Sequence, residues 1–178
     1  RSGDPHVVSE IDSADGDGTA LRDELAKRDL AYAVGISQSR AVWPEPPGGA
    51  VPEGHGQGRP RRCLRFGDQK PVSGKSLAQA REKRFRTVLG RAGSKGKRPS
   101  HFWATRVQTA HDWNHGQAPG PEVWLLVEWP VGEPEPAKYY LCDLPKSMSL
   151  RQLVATARGR WRVEQDYQQR KEELGLDH

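Results

Sequence analysis

Arg160, Glu164 and Lys171 bring one carboxylate and two cations together near the end of the chain. On a helix, at about 100° per residue, Glu164 falls inside the apolar stripe that Leu153 and Ala157 define, and the two cations lie at its edge. A carboxylate on an inward face must be paired or bind a metal, because desolvating it alone costs several kcal/mol, on the order estimated for buried ions. Two interpretations stay open: Glu164 pairs with Arg160 one helical turn back, or it serves as a metal ligand.

A second group of acids lies near the start of the chain. Residues 7–12 are typical of a short strand that ends at Asp12, and residues 13–22 turn into a helix. From residue type alone, Asp12, Asp15 and Asp17 are turn formers and a helix cap. Their spacing does not fit the alternating ligands of a calcium loop.

Both segments resemble known sequences. Arginine, three residues, glutamate, six residues and lysine, as in Arg160, Glu164 and Lys171, resemble the third-acid signature of DDE transposases from bacterial insertion sequences. Ala157 stands where that signature usually has tyrosine. The segment that contains Asp12 is similar to the family's second-acid segment, in which an aspartate at a strand end precedes Gly-Asp and a helix with an arginine.

The resemblance implies an α/β fold of the RNase H-like class, with a β-rich insertion between the second acid and the helix that bears the third. Three segments are expected: a partial core at 1–36, a Pro/Gly-rich linker with the basic insertion at 37–145, and a core helix at 146–178.

It further implies metal-dependent cleavage and transfer of DNA strands. Asp12 and Glu164 would hold Mg²⁺, or Mn²⁺ in its place, because these hard cations take oxygen ligands. Arg160 and Lys171 would contact DNA phosphates. The implied partner is double-stranded DNA at transposon ends, bound as a homodimer, and the implied location is the cytoplasm at the bacterial nucleoid.

The first of the three acids has no counterpart in this sequence. Only eleven residues precede Asp12, and Asp4 lies too close to belong to an earlier strand. We therefore expect a fragment of a catalytic region that is catalytically silent on its own. A basic DNA-binding remnant without catalysis is the alternative.

Positive charge is concentrated in the middle of the chain. The net charge is +5, but residues 55–100 hold fourteen Lys or Arg against Asp68 and Glu82. Such a segment attracts a phosphate backbone without reading sequence, and we expect Arg59, Arg61, Arg62 and Arg65 to contact DNA. A solvated loop without a partner is the other interpretation. Phe66 and Phe85 are the only aromatic residues in this block, which argues against stacking on single-stranded bases.

Local patterns predict the remaining elements. The predicted helices span residues 19–28 and 76–83, and a final helix begins at Ser149 through a capping box with Gln152. Residues 31–36 are predicted as a strand that completes a βαβ unit, and residues 37–74 as an open Pro/Gly-rich loop. Further antiparallel strands are predicted at residues 85–89, 102–108, 123–129 and 138–142.

Several classes of protein are excluded by composition. No apolar run approaches the roughly 20 residues of a membrane span, and no secretory signal pattern is present. Cys63 and Cys142 are isolated, so neither a zinc site nor a disulfide framework is indicated.

Overall fold

A computed structural model describes residues 19–28, 31–52, 63–88 and 99–158 of this chain. The helices are α1 (Thr19–Lys27), α2 (Gly74–Gln79) and α3, whose described part spans residues 150–158. Short 3₁₀ turns occupy Glu82–Arg84 and Trp113–His115. The strands, in chain order, are β1 (Tyr32–Ile36), β2 (Ala41–Trp43), β3 (Val72–Ser73), β4 (Arg86–Thr87), β5 (Ser100–Thr109), β6 (Glu122–Pro130) and β7 (Lys138–Asp143).

All seven strands belong to one antiparallel sheet. Its order is β1-β7-β6-β5-β2-β3, and β4 pairs with the same outer edge of β5 as β2 does. The long strands β5, β6 and β7 form its centre and confirm the strands predicted there. The first strand of the predicted βαβ unit lies outside the described residues, and within them β1 pairs only with β7, antiparallel.

Alternation along the central strands divides their apolar residues between two faces. On one face, Leu125 and Leu141 pack with Leu25 of α1 and Leu77 of α2. On the other face, a second cluster receives α3, and its buried members are Ala33, Phe102, Leu126, Cys142, Leu144, Leu153, Val154 and Ala157. The described part of the chain therefore combines helices on both faces with an antiparallel sheet, a mixed α/β arrangement.

The start of α3 follows the predicted capping box. The backbone N–H of Ser149 donates to Gln152 Oε1 at 2.8 Å, and the backbone N–H of Gln152 donates to Ser149 Oγ at 3.4 Å. Leu153, Val154 and Ala157 are buried, so the apolar stripe predicted for this helix faces the sheet.

The prediction of an open loop over residues 37–74 was wrong in part. Val42 and Trp43 are buried in β2, which pairs with β5. Trp43 packs against Phe66 with 5.1 Å between ring centroids and against Trp113 with 6.0 Å. The Pro/Gly composition was misleading because this small aromatic cluster supplies the burial that orders the segment.

Gly116 closes the turn beneath that cluster. Its φ is +79°, a conformation that residues with a side chain rarely adopt, and an added Cβ would lie 2.5 Å from Cys63 Cβ. The turn therefore requires glycine both for its backbone conformation and for the close approach of the segment at Cys63.

Candidate nucleic-acid interface

Most of the residues predicted to act on DNA lie outside the described residues. These are Asp12, Glu164, Arg160, Lys171, Arg59, Arg61 and Arg62. Their contacts, including the predicted approach of Asp12 to Glu164, stay predictions.

Arg65 is the one predicted site residue that the structure describes. Its side chain is exposed, while its backbone forms a bridge with Ala50, with N···O distances of 2.8 and 3.0 Å. The next residue, Phe66, is buried in the aromatic cluster. The charged side chain of Arg65 is therefore accessible to a ligand, while its backbone is held by the bridge to Ala50.

A compact group of cations lies farther along the basic block. We call Arg81, Lys83, Arg84 and Arg86 the basic ridge; all four are exposed, and Glu82 is the one acid among residues 81–86. The guanidinium of Arg86 donates to the backbone carbonyls of Lys83 at 3.1 Å and Phe85 at 3.0 Å. These bonds limit the conformations that the Arg86 side chain adopts.

Phe85 anchors the ridge to the sheet. Its ring packs against Trp103 at 5.9 Å and edge-on against Trp129 at 5.3 Å between centroids. Immediately after it, Arg86 pairs with Phe102 at the start of β5. Aromatic contacts of this kind contribute about 0.5–1.5 kcal/mol beyond area burial. The backbone of the ridge is therefore held on the sheet, while its four cationic side chains are exposed.

A cavity of about 500 Å³ opens beside the ridge. Arg84 and Arg86 line one side, and the rest of the wall includes Trp103 and Trp124 from the sheet and Leu153 from α3. Among the described residues, its lining contains no carboxylate.

Sequence patterns did not predict that Arg84 and Arg86 lie beside tryptophans of the sheet. The two tryptophans lie outside residues 55–100, so a count of aromatic residues within the basic block could not include them. The available signal was the prediction of antiparallel strands at residues 85–89 and 102–108, which the structure pairs with each other as β4 and β5.

The last described turn of α3 is fixed to the sheet by an ion pair. Arg158 Nη2 lies 3.1 Å from Glu128 Oε1 on β6, and its guanidinium carbon is 4.7 Å from the ring centroid of Phe102. The side chain of Glu128 is only 14% exposed, so the pair is partly shielded from water. This contact fixes the end of the described part of α3 to β6.

Two buried arginines meet at the start of α1, close in sequence to the predicted Asp12 segment. Thr19 Oγ1 accepts hydrogen bonds from Arg22 Nη2 at 3.0 Å and from Arg40 Nη2 at 2.7 Å. Burial lowers the pKa of both guanidinium groups. Neither loses its charge near neutral pH, because an arginine pKa starts above 12. Two buried guanidinium groups therefore share one hydroxyl acceptor at the N-terminal end of this helix.

Tyr32 lies beside this region and should make stability depend on alkaline pH. Burial raises the pKa of Tyr32 from 10.0 to about 12, while the charge of Arg22 acts in the opposite direction. Between pH 10 and 12 the unfolded chain then loses a proton that the folded chain keeps, so stability falls as pH rises. We expect urea unfolding to show this loss in the wild type and a smaller one in Tyr32→Phe. A wild-type minus variant difference that is constant from pH 8 to 12 would contradict the assignment.

The described residues contain no group of three or more His, Cys, Asp or Glu side chains that could hold a metal ion. His111 and Asp112 form a pair with 3.1 Å between Nε2 and Oδ2, and His115 lies farther away, at 3.9 Å from the same carboxyl group. In the same ranges, none of the helices has the length and apolar character that a bilayer span requires.

Comparison with known families identifies the chain. The sequence model of the DDE superfamily endonuclease family matches residues 1–97, more than half of the 178 residues. The chain therefore belongs to the DDE superfamily of endonucleases, with a transposase-like domain. Neither the curated proteins nor the solved structures searched gave a significant match.

Proposed function

We propose that this chain takes part in metal-dependent cleavage and transfer of DNA strands, as part of a transposase with an RNase H-like core. The observation that carries the proposal is the family match over residues 1–97, which includes the Asp12 segment. The spacing of Arg160, Glu164 and Lys171 supports it from the part of the chain that the match does not cover. A bacterial insertion sequence is the proposed origin.

Asp12 and Glu164 are the proposed metal ligands. Endonucleases of this superfamily typically use divalent metal ions, and carboxylate oxygens are the donors that Mg²⁺ and Mn²⁺ prefer. When bound, such ions supply stabilisation of negative charge on the reacting phosphate oxygens. Arg160 and Lys171 would hold the adjacent phosphates by charge-assisted hydrogen bonds.

The described elements that are closest in sequence to these residues are packed on the sheet. The α3 helix is packed on the sheet through Leu153 and Ala157 and fixed by the Arg158 pair, two residues before Arg160. At the other end, α1 begins seven residues after Asp12 and packs through Leu25 on the opposite face. Positioning by packed elements matters because catalytic groups need placement within a fraction of an ångström, about 0.5 Å.

The segments 1–36, 37–145 and 146–178 are the proposed organisation, with the middle segment as an insertion that binds DNA. The pairing of β1 with β7 joins the first segment to the end of the second in one sheet. We propose double-stranded DNA at transposon ends as the partner, a homodimer on that DNA, and a location at the nucleoid in the cytoplasm.

The second candidate function is DNA binding without catalysis. The anchored basic ridge favours it, because these cations bind phosphate whether or not the acids hold a metal.

Metal binding and plasmid cleavage separate the two functions. In Mn²⁺ titrations of the whole chain, Asp12→Asn and Glu164→Gln should each weaken binding at least about tenfold, because each removes an ionised ligand. Asp68→Asn, an exposed acid outside the proposed site, is the control. Affinity that is the same in all four proteins would overturn the metal site.

Supercoiled plasmid incubated with Mg²⁺ or Mn²⁺ provides the second measurement. Nicking that disappears in Glu164→Gln supports the endonuclease. Binding without nicking is already expected of this chain alone, because the first acid has no counterpart in it. Binding without nicking together with Mn²⁺ affinity that is unchanged in Asp12→Asn and Glu164→Gln supports the binding function instead.

A further inference from the structure

We propose that the cavity beside the basic ridge binds an unpaired nucleotide of a DNA strand. The inference rests on the proposed action on DNA and names the form of DNA that this part of the chain prefers. It requires neither the metal nor the predicted acids.

The charge of the cavity fits a phosphate. Arg84 and Arg86 both line it and are exposed, and the described lining contains no carboxylate to neutralise them. Arg86 is held by two backbone carbonyls, so its guanidinium loses little freedom when it binds an anion. Guanidinium groups bind phosphate through charge-assisted hydrogen bonds, often in pairs.

Backbone N–H groups at the outer edge of β5 lie next to the same cavity. Among the described strands, β4 pairs with this edge at residues 101–102 and β2 pairs with it at residues 108–109. The backbone N–H of Ala110 donates to Ala41 on β2. Because peptide groups in an antiparallel strand alternate in direction, those of Ala104 and Arg106 face the same edge. Ala104 also lines the cavity.

The remaining wall fits the flat, apolar face of a base. Trp124, Leu150 and Leu153 line it from the face of the sheet that carries α3, while the ring of Trp103 packs on the opposite face. A volume of about 500 Å³ lies in the range typical of small-ligand sites. The indole N–H of Trp124 donates to the backbone carbonyl of Pro145 at 3.2 Å, which fixes the ring. Arg106 lies 5.2 Å from the centroid of that ring and supports it.

A base in duplex DNA cannot use this wall without leaving its stack. Extraction costs a few kcal/mol, on the order known for flipped bases, and an already unpaired nucleotide avoids that cost. The combination of two cations with an aromatic wall therefore selects an unpaired nucleotide over a duplex.

Fluorescence anisotropy with short labelled oligonucleotides tests this in EDTA, so that cleavage plays no part. The probes are an eight-nucleotide oligothymidylate, an abasic oligonucleotide with the same number of phosphates, and a duplex of the same length. We expect the thymidylate to bind about ten- to a hundred-fold more tightly than the abasic probe, the range that base stacking provides. Equal binding of these two probes would overturn the proposal and leave a phosphate site only.

Substitutions in the lining of the cavity test whether the thymidylate binds there. Arg84→Gln with Arg86→Gln should weaken thymidylate binding at least about tenfold, and Trp124→Leu should remove the preference over the abasic probe. The matched control, Arg81→Gln with Lys83→Gln, removes the same charge from the ridge outside the cavity and should lower affinity for both probes by the same factor. A preference unchanged in Trp124→Leu would overturn the assignment to this cavity. The comparison of the thymidylate with the abasic probe on the wild-type chain tests the proposal even if a variant fails to fold.

Discussion

Leu126→Ala is expected to lower the free energy of unfolding by roughly 3 kcal/mol, within the range of about 2.7–5 kcal/mol measured for buried leucines. Leu126 is fully buried at the centre of β6, beneath α3, in contact with the cluster that contains Phe102 and Leu153. The cavity that the smaller side chain leaves removes packing from the helix that leads toward Glu164. Urea denaturation with an unchanged m-value measures the loss.

Its neighbour Leu125 provides a matched control. Leu125 is also fully buried but points to the other face, among residues that pack with α1 and α2. Leu125→Ala should cost a similar free energy. Hydrogen exchange should then accelerate first in residues 150–158 for Leu126→Ala and in residues 19–27 and 74–79 for Leu125→Ala. The same exchange pattern in both variants would contradict the two-faced core.

Replacing Arg59, Arg61, Arg62 and Arg65 with alanine is expected to flatten the dependence of duplex DNA affinity on salt. Removing one cation that binds a phosphate reduces the slope of log K against log salt by about 0.9, so removing four reduces it by roughly 3.6. The measurement is binding of one duplex over a series of salt concentrations.

The control removes the same charge elsewhere. Lys27, Arg28, Lys138 and Arg151 are exposed and lie outside residues 55–100. Their joint replacement with alanine should change the slope much less, because under salt screening the long-range attraction of distant cations contributes less than direct phosphate contacts. If the two quadruple variants have equal slopes, the basic block is not the contact surface.

Regular local patterns made much of the fold predictable. Alternation identified β5, β6 and β7, and the Ser149 capping box placed the start of α3 correctly, because both signals depend on residues close in sequence. The segment at Val42 and Trp43 was missed because its burial depends on Phe66 and Trp113, which are distant in sequence.

The candidate site was less predictable. The charge of Arg84 and Arg86 is evident in the sequence, but their meeting with Trp103 and Trp124 depends on strand register and on the packing of α3. Pairing between distant strands follows from the whole sheet, which composition does not specify. The interpretation of Asp12 and Glu164 came from a resemblance, and the described residues do not test it.

The pairing of β1 with β7 has a consequence for how the chain reaches its fold. Val34 pairs with Leu141, more than a hundred positions later, so this part of the sheet closes only after nearly all of the intervening chain has been synthesised. Contacts between such distant residues slow folding. Until β7 has been synthesised, β1 therefore has no pairing strand and its apolar residues are exposed to solvent. An unpaired strand of this kind can associate with other chains. Chaperone dependence during translation should accordingly be greatest before residues 138–143 emerge from the ribosome.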